Sequence, residues 1–445
     1  MPATARNQTT PLGPGAIRNP AMVLTLLTSL NLLNYIDRYV MAAVLPKVQD
    51  DLHLSNFLGG SLFTVFLIGY FATSPIFGAW SDRSVPGTRK RLLAFGVSVW
   101  SVATVASGLV HGFAALVVAR AVVGVGEASY ATIAPTFIDD LAAPAKKGRW
   151  MAIFAAATPV GSALGFVVGG AVEHAHGWRS AFLVAGGPGL ALALLCLLIA
   201  EPLGGSATSI AEPRGRTATA LPDAWRSART LWRLPLYRDG VLGFCAYTFA
   251  IGGFAYWAPK YLHARYGLEP GRASVDFGLI TVGAGFFGTL AGGWLADAAV
   301  RRRRARKTGK TLGDALSDGE TARANLSVCA LSAGLGAPLA AAAIASPSAF
   351  GFFVCVAACE VALFLSSGPM NVAMLRSVPA GLRASAMAMG IFAIHLLGDL
   401  WSPPLIGLVA DHAPMIWAMM AAPLVFALAA FVWLRGAAGA SDRLT

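Results

Sequence analysis

Four ionisable side chains interrupt otherwise apolar sequence, at positions where a charge needs a chemical reason. Asp37 and Arg38 lie in the string Asn-Tyr-Ile-Asp-Arg-Tyr at 34–39, and Arg120 and Glu127 lie in a second apolar stretch. Two acids and two arginines balance in charge. Protonation of one acid leaves a net positive charge, which allows a proton to be coupled to an anion. We predict that Asp37 and Glu127 exchange protons and that Arg38 and Arg120 bind an anionic group.

The spacing of these four residues restricts which of them can meet. Arg120 and Glu127 are two helical turns apart and share a helix face, whereas the adjacent Asp37 and Arg38 diverge by about 100°. The economical arrangement pairs Glu127 with Arg38 or with Arg120 across helices, which leaves Asp37 less neutralised. A purely structural network of ion pairs is the alternative to proton coupling.

A second candidate site occupies the string His-Leu-Leu-Gly-Asp at 395–399. His395 and Asp399 are one helical turn apart, so an imidazole and a carboxylate can share a proton there. Because Pro403 and Pro404 lack an N–H, we expect the helix to kink and to free carbonyl oxygens. We predict that His395 and Asp399 are proton-coupling groups. An ordinary packing histidine is the alternative.

Bulky aromatic residues follow one another near 249–257, where they suit contact with an apolar chain. An aromatic belt at the outer membrane interface is an equally good interpretation. The predicted substrate-binding residues are Arg38, Arg120, Tyr256, Trp257 and Asn371.

The composition indicates the elements that carry these residues. The 445 residues are 56% hydrophobic and 13% charged, against about 25% charged in soluble domains. This excludes a soluble enzyme and a disordered chain. A stretch of about 20 apolar residues crosses a bilayer. Such stretches fall near 21–45, 57–80, 92–112, 114–138, 151–173, 180–200, 240–262, 274–298, 324–345, 349–373, 384–410 and 413–434.

The predicted spans divide evenly around a polar segment. This predicts an N-terminal six-helix bundle at 1–200, a cytosolic linker at 201–238 and a C-terminal six-helix bundle at 239–445.

Lys and Arg concentrate in alternate loops, which the positive-inside rule assigns to the cytosol together with both termini. The net charge of +12 therefore indicates cytosolic loops and not nucleic-acid binding. An Ala- and Gly-rich chain suggests a bacterium, hence the cytoplasmic (inner) membrane.

A short motif follows the second span of each half. Residues 78–83 read Gly-Ala-Trp-Ser-Asp-Arg and residues 293–297 read Gly-Trp-Leu-Ala-Asp, each followed by basic residues. Two duplicated bundles that rock around a central site are typical of secondary transporters. Asp82, Arg83 and Asp297 are the predicted conformational gate, because a carboxylate can meet the positive N-terminus of a helix. Simple capping of a turn is the alternative.

The repeated loop resembles the cytosolic motif of the major facilitator superfamily. Within it, the strings at 34–39, 126–130, 159–165 and 395–399 resemble the Spinster family of lysolipid transporters. The resemblance implies an all-α membrane protein of twelve transmembrane helices in two pseudo-symmetric bundles. It also implies that Asp37, Arg38 and Glu127 match the family's charged cluster, and that His395 and Asp399 match its motif in the eleventh helix.

The sequence thus predicts a proton-coupled secondary transporter of an amphipathic anionic lipid, such as a lysophospholipid or a sphingoid-phosphate-like molecule, that works as a monomer by alternating access. Its expected partners are this substrate, protons and membrane lipids. A proton-coupled symporter of small organic anions such as sugar acids is the alternative, because the strings of the first and fourth spans resemble those of such symporters too. No Walker loop, metal-ligand cluster or catalytic triad is recognisable, so no enzyme, metal or cofactor is expected.

Overall fold

Helices dominate the computed structural model, which describes residue 13 and residues 15–82, 87–143, 146–201, 228–307 and 316–439. Across these ranges, the β pairing amounts to one isolated parallel bridge between Ile17 and Ile199. The chain clusters into two compact units. The first is Met1–Val48 with Val65–Gly215, and the second is Gln49–Thr64 with Arg216–Thr445.

The first half of the chain forms continuous helices. They are α1 (Pro20–Leu52), α2 (Asn56–Asp82), α3 (Thr88–Ser107), α4 (Phe113–Leu141), α5 (Lys147–His176) and α6 (Trp178–Leu197). In a lipid environment every backbone N–H and C=O needs an internal partner, and an apolar run satisfies them by forming a helix.

The second half begins with continuous helices and continues with interrupted ones. The former are α7 (Pro235–Tyr266), α8 (Pro270–Lys307) and α9 (Asp318–Ala345). The latter are α10a (Ala349–Phe364) with α10b (Ser367–Arg376), α11a (Arg383–Ile394) with α11b (Ser402–His412), and α12a (Met415–Met419) with α12b (Ala421–Ala438). A π-helical turn, His395–Asp399, separates α11a from α11b.

Each predicted span coincides with one continuous or interrupted helix of the structure. Among the described residues, 10 helical segments are long and apolar enough to cross a membrane. The other two spans are α1 and α3, whose charged residues lower their hydropathy: α1 carries Asp37 and Arg38, and α3 begins with a basic first turn. The ends of several helices were predicted too short. The helix α8 continues through the arginine run at 301–304, because arginine favours helix and the charged turn can extend into water.

The segment Gln49–Thr64 clusters with the second unit because polar contacts tie it there. The Asp411 carboxylate accepts hydrogen bonds from the backbone N–H groups of Asn56 and Phe57, at 2.7 and 2.9 Å. It thereby caps the first turn of α2, where unpaired N–H groups attract a negative charge. The linker predicted at 201–238 lies outside the described residues between 202 and 227.

A glycine ridge on α5 holds α1 in place inside the first unit. The sequence predicts this ridge from the four-residue spacing of Gly161, Gly165 and Gly169. A Cβ atom at Gly165 would lie 2.7 Å from the Cβ of Tyr39 and 2.8 Å from the backbone oxygen of Ile36. Only a residue without a side chain permits this approach, which fixes the part of α1 that carries Asp37 and Arg38.

Candidate functional site

An ion pair between α1 and α4 forms the centre of a buried cluster in the first unit. The Arg38 guanidinium nitrogen Nη2 lies 2.7 Å from the Glu127 oxygen Oε2. The Arg38 side chain is 11% exposed, whereas that of Glu127 is fully buried. Of the two pairings that the sequence left open, the structure therefore forms the one with Arg38. Glu127 is the fully buried member of the pair, and Arg38 is the member that solvent can reach.

Asp37 and Arg120 complete the cluster, and both are fully buried. The Thr104 hydroxyl of α3 donates a hydrogen bond of 3.2 Å to the Asp37 oxygen Oδ2. The second carboxylate oxygen of Asp37, Oδ1, has no hydrogen-bond partner within the described ranges. Asp37 is thus held by a neutral hydroxyl where Glu127 is held by a guanidinium, so the two acids differ in their electrostatic surroundings.

Aromatic rings surround the two guanidinium groups. The Cζ atom of Arg38 lies 4.9 Å from the ring centre of Tyr35, 4.9 Å from that of Phe66 and 5.8 Å from that of Tyr70. The Cζ atom of Arg120 lies 5.4 Å from the Phe66 ring. Cation–π attraction to these rings stabilises an arginine in such a place. Sequence reasoning missed these rings. The available signal was the spacing of Phe66 and Tyr70, one helical turn apart.

Two glycines beside Glu127 set its position. A Cβ atom at Gly124 would lie 2.0 Å from the backbone oxygen of Phe66, so α4 touches α2 there. A Cβ atom at Gly126 would lie 2.5 Å from the backbone nitrogen of Trp100, so α4 touches α3 about half a turn further round. Close packing on both sides therefore places Glu127 at the junction of three helices, within reach of α1.

The second unit contains the predicted pair of His395 and Asp399. The His395 nitrogen Nδ1 lies 3.0 Å from both carboxylate oxygens of Asp399. Their side chains are 24% and 16% exposed, more than those of the first cluster. The helix reaches this arrangement through a π turn, in which the N–H of Leu400 bonds the His395 carbonyl oxygen at 3.1 Å. Such turns occur often at functional sites.

The predicted aromatic residues Tyr256 and Trp257 are buried in the packing of the second unit. The Tyr256 hydroxyl donates a hydrogen bond of 2.8 Å to the Gly59 carbonyl oxygen, and Trp257 Nε1 donates one of 2.9 Å to the Pro403 carbonyl oxygen. Asn371 lies exposed on α10b, where its amide bonds the Ser367 carbonyl oxygen at 3.1 Å. The structure thus places these three residues in a different unit from Arg38 and Arg120, and their contact with substrate stays a prediction.

The predicted gate residues are only partly visible. The Asp82 side chain and all of Arg83 lie outside the described residues. Asp297 is exposed on α8, four residues before the arginine run.

Sequence reasoning missed an ionic triad near the helix ends of each unit. In the first unit, Arg89 bridges Asp140 at 2.7 Å and Glu201 at 2.9 Å. In the second unit, Asp318 on α9 accepts hydrogen bonds from Arg376 and Arg383. The basic residues of these loops had been used only to predict topology. Their acidic partners are too distant in sequence for spacing to reveal them.

Glu360 is a further buried acid, which the sequence located in the tenth span without a role. It is 8% exposed on α10a and accepts a hydrogen bond of 2.9 Å from the Thr281 hydroxyl of α8. Across the described ranges, no group of three or more His, Cys, Asp or Glu side chains could hold a metal ion.

Comparisons with known proteins agree on one family. Residues 27–400 match the Major Facilitator Superfamily. Identity is 32% with "Probable sphingolipid transporter spinster homolog 2" of Arabidopsis thaliana, over 94% of this chain and 87% of the relative. It is 34% with "Protein spinster homolog 1" of Homo sapiens, over 92% and 76%. The crystal structure of a bacterial homologue of the human lysosomal transporter Spinster shares the fold, with a TM-score of 0.76 at 20% identity over 94% of this chain and 97% of that one.

These matches define the class, a multi-pass integral membrane transporter with two six-helix bundles. The chain belongs to the major facilitator superfamily and, within it, to the Spinster family. The predicted family and the twelve-helix all-α architecture are confirmed. Because the members of this family are transporters, the protein is a transporter and not an enzyme.

Proposed function

We propose that this transporter moves an amphipathic anionic lipid, such as a lysophospholipid or a sphingoid-phosphate-like molecule, by alternating access and in exchange for or together with protons. The observation that carries the proposal is the ion pair of Arg38 and Glu127 at 2.7 Å, with Asp37 and Arg120 buried in the same unit. Charges inside a membrane span are costly and mark ion or substrate pathways.

The chemistry follows from the balance of charge. An anionic headgroup that binds Arg38 competes with Glu127 for the same guanidinium. The Glu127 carboxylate then loses its cation in a place where water cannot replace it, and a proton is the partner that restores neutrality. When the anion is released, Glu127 loses the proton and pairs with Arg38 again. Asp37, held by a neutral hydroxyl, is the second acid that can take up this proton.

Apolar surface beside the cluster supports a lipid substrate. Tyr35, Phe66 and Tyr70 offer ring faces around the charged group of Arg38. The same unit has an open apolar groove of about 730 Å³ on the exposed face of α3 and α4, lined by residues such as Phe95, Val99, Val102, Val118 and Val122, where an acyl chain can lie; the four charged residues do not line it. The Arabidopsis relative is named as a probable sphingolipid transporter, which also supports a lipid substrate.

The remaining predicted residues receive secondary roles in this proposal. His395 and Asp399 form a second proton-exchanging pair, and Asp82, Arg83 and Asp297 act in the conformational gate. We place the protein in a bacterial cytoplasmic membrane as a monomer, with both termini in the cytosol. The concentration of positive charge in alternate loops supports the placement of the termini.

One observation favours a second candidate, the symport of small organic anions such as sugar acids with protons. Two buried arginines bind a carboxylate as readily as a phosphate, because the guanidinium fork matches both. This candidate requires no apolar surface at the site.

Counterflow in proteoliposomes tests the proposal. A labelled lysolipid is compared with a labelled sugar acid, each with and without a pH gradient, using the wild type, Asp37→Asn and Glu127→Gln. We expect lysolipid counterflow in the wild type, and loss of stimulation by the pH gradient in both variants. Asp276→Asn, which removes an exposed carboxylate paired with Arg272 at 3.7 Å, is the matched control and should behave like the wild type.

Two results would contradict the proposal. Counterflow of the sugar acid alone would favour the second candidate. Proton-driven uptake that persists undiminished in both Asp37→Asn and Glu127→Gln would remove the coupling role of the cluster.

A further inference from the structure

The helix α8 is longer than a membrane span requires. Its 38 residues, Pro270–Lys307, extend over about 57 Å at a rise of about 1.5 Å per residue. The hydrocarbon core of a bilayer is about 30 Å thick, and the headgroup layers bring the total to about 45 Å. At least one end of α8 therefore extends beyond the apolar core, and the arginine run at 301–304 identifies the carboxyl-terminal end.

One face of α8 is exposed and apolar as far as Trp294. Phe287, Leu290 and Trp294 are 65%, 61% and 68% exposed. At about 100° per residue, they lie within about 60° of one another around the helix axis. In a membrane protein such a face contacts acyl chains. Trp294 is the last large apolar side chain exposed on α8, and tryptophan is enriched at the membrane–water interface, so the apolar layer ends close to it.

The arginines beyond Trp294 divide between two faces of the helix. Arg303 points to the interior of the second unit, where its Nε donates to the Glu320 oxygen Oε2 at 2.6 Å. Arg301 follows Trp294 by seven residues and therefore lies on the lipid-facing side, and Arg302 lies about 80° round the helix from Trp294. Both are exposed. Within the described ranges, neither takes part in an ion pair.

The direction of α8 turns these two side chains back toward the bilayer. In a helix every Cα–Cβ bond tilts toward the amino-terminal end, and for α8 that end lies on the membrane side of the arginines. Arg301 begins about 10 Å beyond Trp294 along the axis, and a headgroup layer is about 5–8 Å thick. A long arginine side chain spans such a distance, so its guanidinium group lies at the level of the lipid phosphates.

The charge of this segment favours an anion. Asp297 is an exposed acid one turn before Arg301, and the charges of Arg301 and Arg302 outweigh it. A guanidinium group matches a phosphate in geometry and binds it through two N–H groups. An anionic phospholipid lacks the cationic group by which a zwitterionic headgroup such as phosphocholine repels an arginine.

We propose that Trp294, Arg301 and Arg302 form a binding site for an anionic phospholipid of the surrounding bilayer. Its phosphate binds the two guanidinium groups, and its acyl chains lie along Phe287 and Leu290. The site is in the second unit and does not include the cluster around Arg38. The bound lipid is thus a neighbour of the transporter and not its transported molecule, and the site does not depend on the proposed function.

Native mass spectrometry tests the site. The purified full-length protein, delipidated in detergent, is titrated with phosphatidylglycerol and separately with phosphatidylcholine of the same acyl chains. We expect tighter binding of phosphatidylglycerol. The double variant Arg301→Gln/Arg302→Gln should weaken that binding about thirtyfold, equivalent to about 2 kcal/mol, because each arginine near an anionic lipid contributes about 1 kcal/mol. Binding of phosphatidylcholine should not change.

Arg272→Gln/Arg306→Gln is the matched control. It removes two exposed arginines of the same helix, one at its other end, paired with Asp276 at 3.7 Å, and one about 120° round the axis from Trp294. The loss of charge is the same, and the affinity for phosphatidylglycerol should stay within about twofold of the wild type, a difference of less than 1 kcal/mol. Arg38→Ala/Glu127→Ala should also retain the site, which separates it from binding of a transported lipid.

The proposal is overturned if Arg301→Gln/Arg302→Gln binds phosphatidylglycerol as tightly as the wild type. An equal loss in the control variant also overturns it, because net charge alone would then explain the binding. The same holds if the wild type binds both lipids equally, or if inorganic phosphate at equal concentration displaces phosphatidylglycerol. Lysolipid counterflow in phosphatidylcholine proteoliposomes measures transport without this lipid, so failure of the site and failure of the transport proposal can be told apart.

Discussion

The two units hold their ionisable residues in different ways. In the first unit, α1 and α4 contribute two ionisable residues each, which are between 0% and 11% exposed, and α3 adds the Thr104 hydroxyl. In the second unit, His395 and Asp399 lie on one π turn and are 24% and 16% exposed. Tertiary packing therefore fixes the first group, and local backbone geometry fixes the second.

The difference extends to the kind of charge. Arginine stays positive at every physiological pH, so Arg38 and Arg120 offer a permanent partner to an anion. The second pair contains no arginine, and its proposed role is proton exchange between an imidazole and a carboxylate. In the proposed function the first cluster binds the anion and also takes up a proton, whereas the second pair exchanges protons only, and the predictions below test that difference.

The largest effect is expected from Arg38→Ala. This change leaves the Glu127 carboxylate buried without its partner, which destabilises the fold by about 3–5 kcal/mol and abolishes lysolipid uptake. Thermal unfolding and initial uptake rates in proteoliposomes measure the two losses. The double variant Arg38→Ala/Glu127→Ala should regain stability but not transport. Arg272→Ala, at an exposed ion pair of α8, serves as control. Wild-type uptake by Arg38→Ala would contradict the assignment.

Packing around the first cluster is tested by Gly124→Ala. The added Cβ atom would lie 2.0 Å from the Phe66 carbonyl oxygen, so α2 and α4 must separate. We expect a loss of about 1–3 kcal/mol in the free energy of unfolding, with reduced uptake. Gly187→Ala on α6, where the added atom meets nothing within 4 Å, is the matched control. Equal stability of the two variants would mean that packing does not fix the cluster.

The pH response of the second unit is tested by His395→Gln. Glutamine keeps a hydrogen-bonding group but cannot carry the proton, so uptake driven by a pH gradient should fall about tenfold, equivalent to about 1.4 kcal/mol. Counterflow without a gradient should stay close to that of the wild type, because Arg38 and Arg120 are intact. His412→Gln, at an exposed histidine that bonds the Leu408 carbonyl oxygen, is the control. A parallel fall in gradient-driven uptake and in counterflow would contradict a role of His395 in proton exchange alone.

The smallest effect is expected from Thr104→Val, which removes the hydroxyl that donates to Asp37 at 3.2 Å with little change in volume. Loss of this hydrogen bond is worth about 1 kcal/mol, so gradient-driven uptake should fall about fivefold. Ser107→Ala removes a buried hydroxyl of the same helix that bonds only the Ala103 carbonyl oxygen, and it should have no such effect. Unchanged uptake by Thr104→Val would assign proton exchange to Glu127 alone.

Short-range sequence patterns predicted most of the fold, and they predicted the contact between His395 and Asp399 in the second unit. Apolar runs located every span, because a helix is the structure that satisfies an isolated backbone in lipid. The contact between His395 and Asp399 followed from a spacing of four residues. The prolines at 403 and 404 indicated a break, although a π turn rather than a simple kink produces it.

Contacts between distant residues were harder to predict. The sequence could not choose between Arg38 and Arg120 as the partner of Glu127, because the choice depends on how α1 rotates against α4. It also missed the bond between Arg89 and Glu201, which are 112 residues apart. Tyr256 and Trp257 are buried because they bond the carbonyl oxygens of Gly59 and Pro403. The periodicity of the sequence does not predict these contacts between distant residues.

Points without a backbone hydrogen bond occur in both halves of the chain, because α1, α2, α4, α5 and α6 each contain an internal proline. The eleventh span differs in that a π turn at 395–399 precedes two consecutive prolines, so two donors are missing directly after the widened turn. A helix bends most easily at such a point. Substitutions there can retune the ease of bending while leaving the arginine-containing core of the first unit untouched, so rate and selectivity can evolve along separate routes.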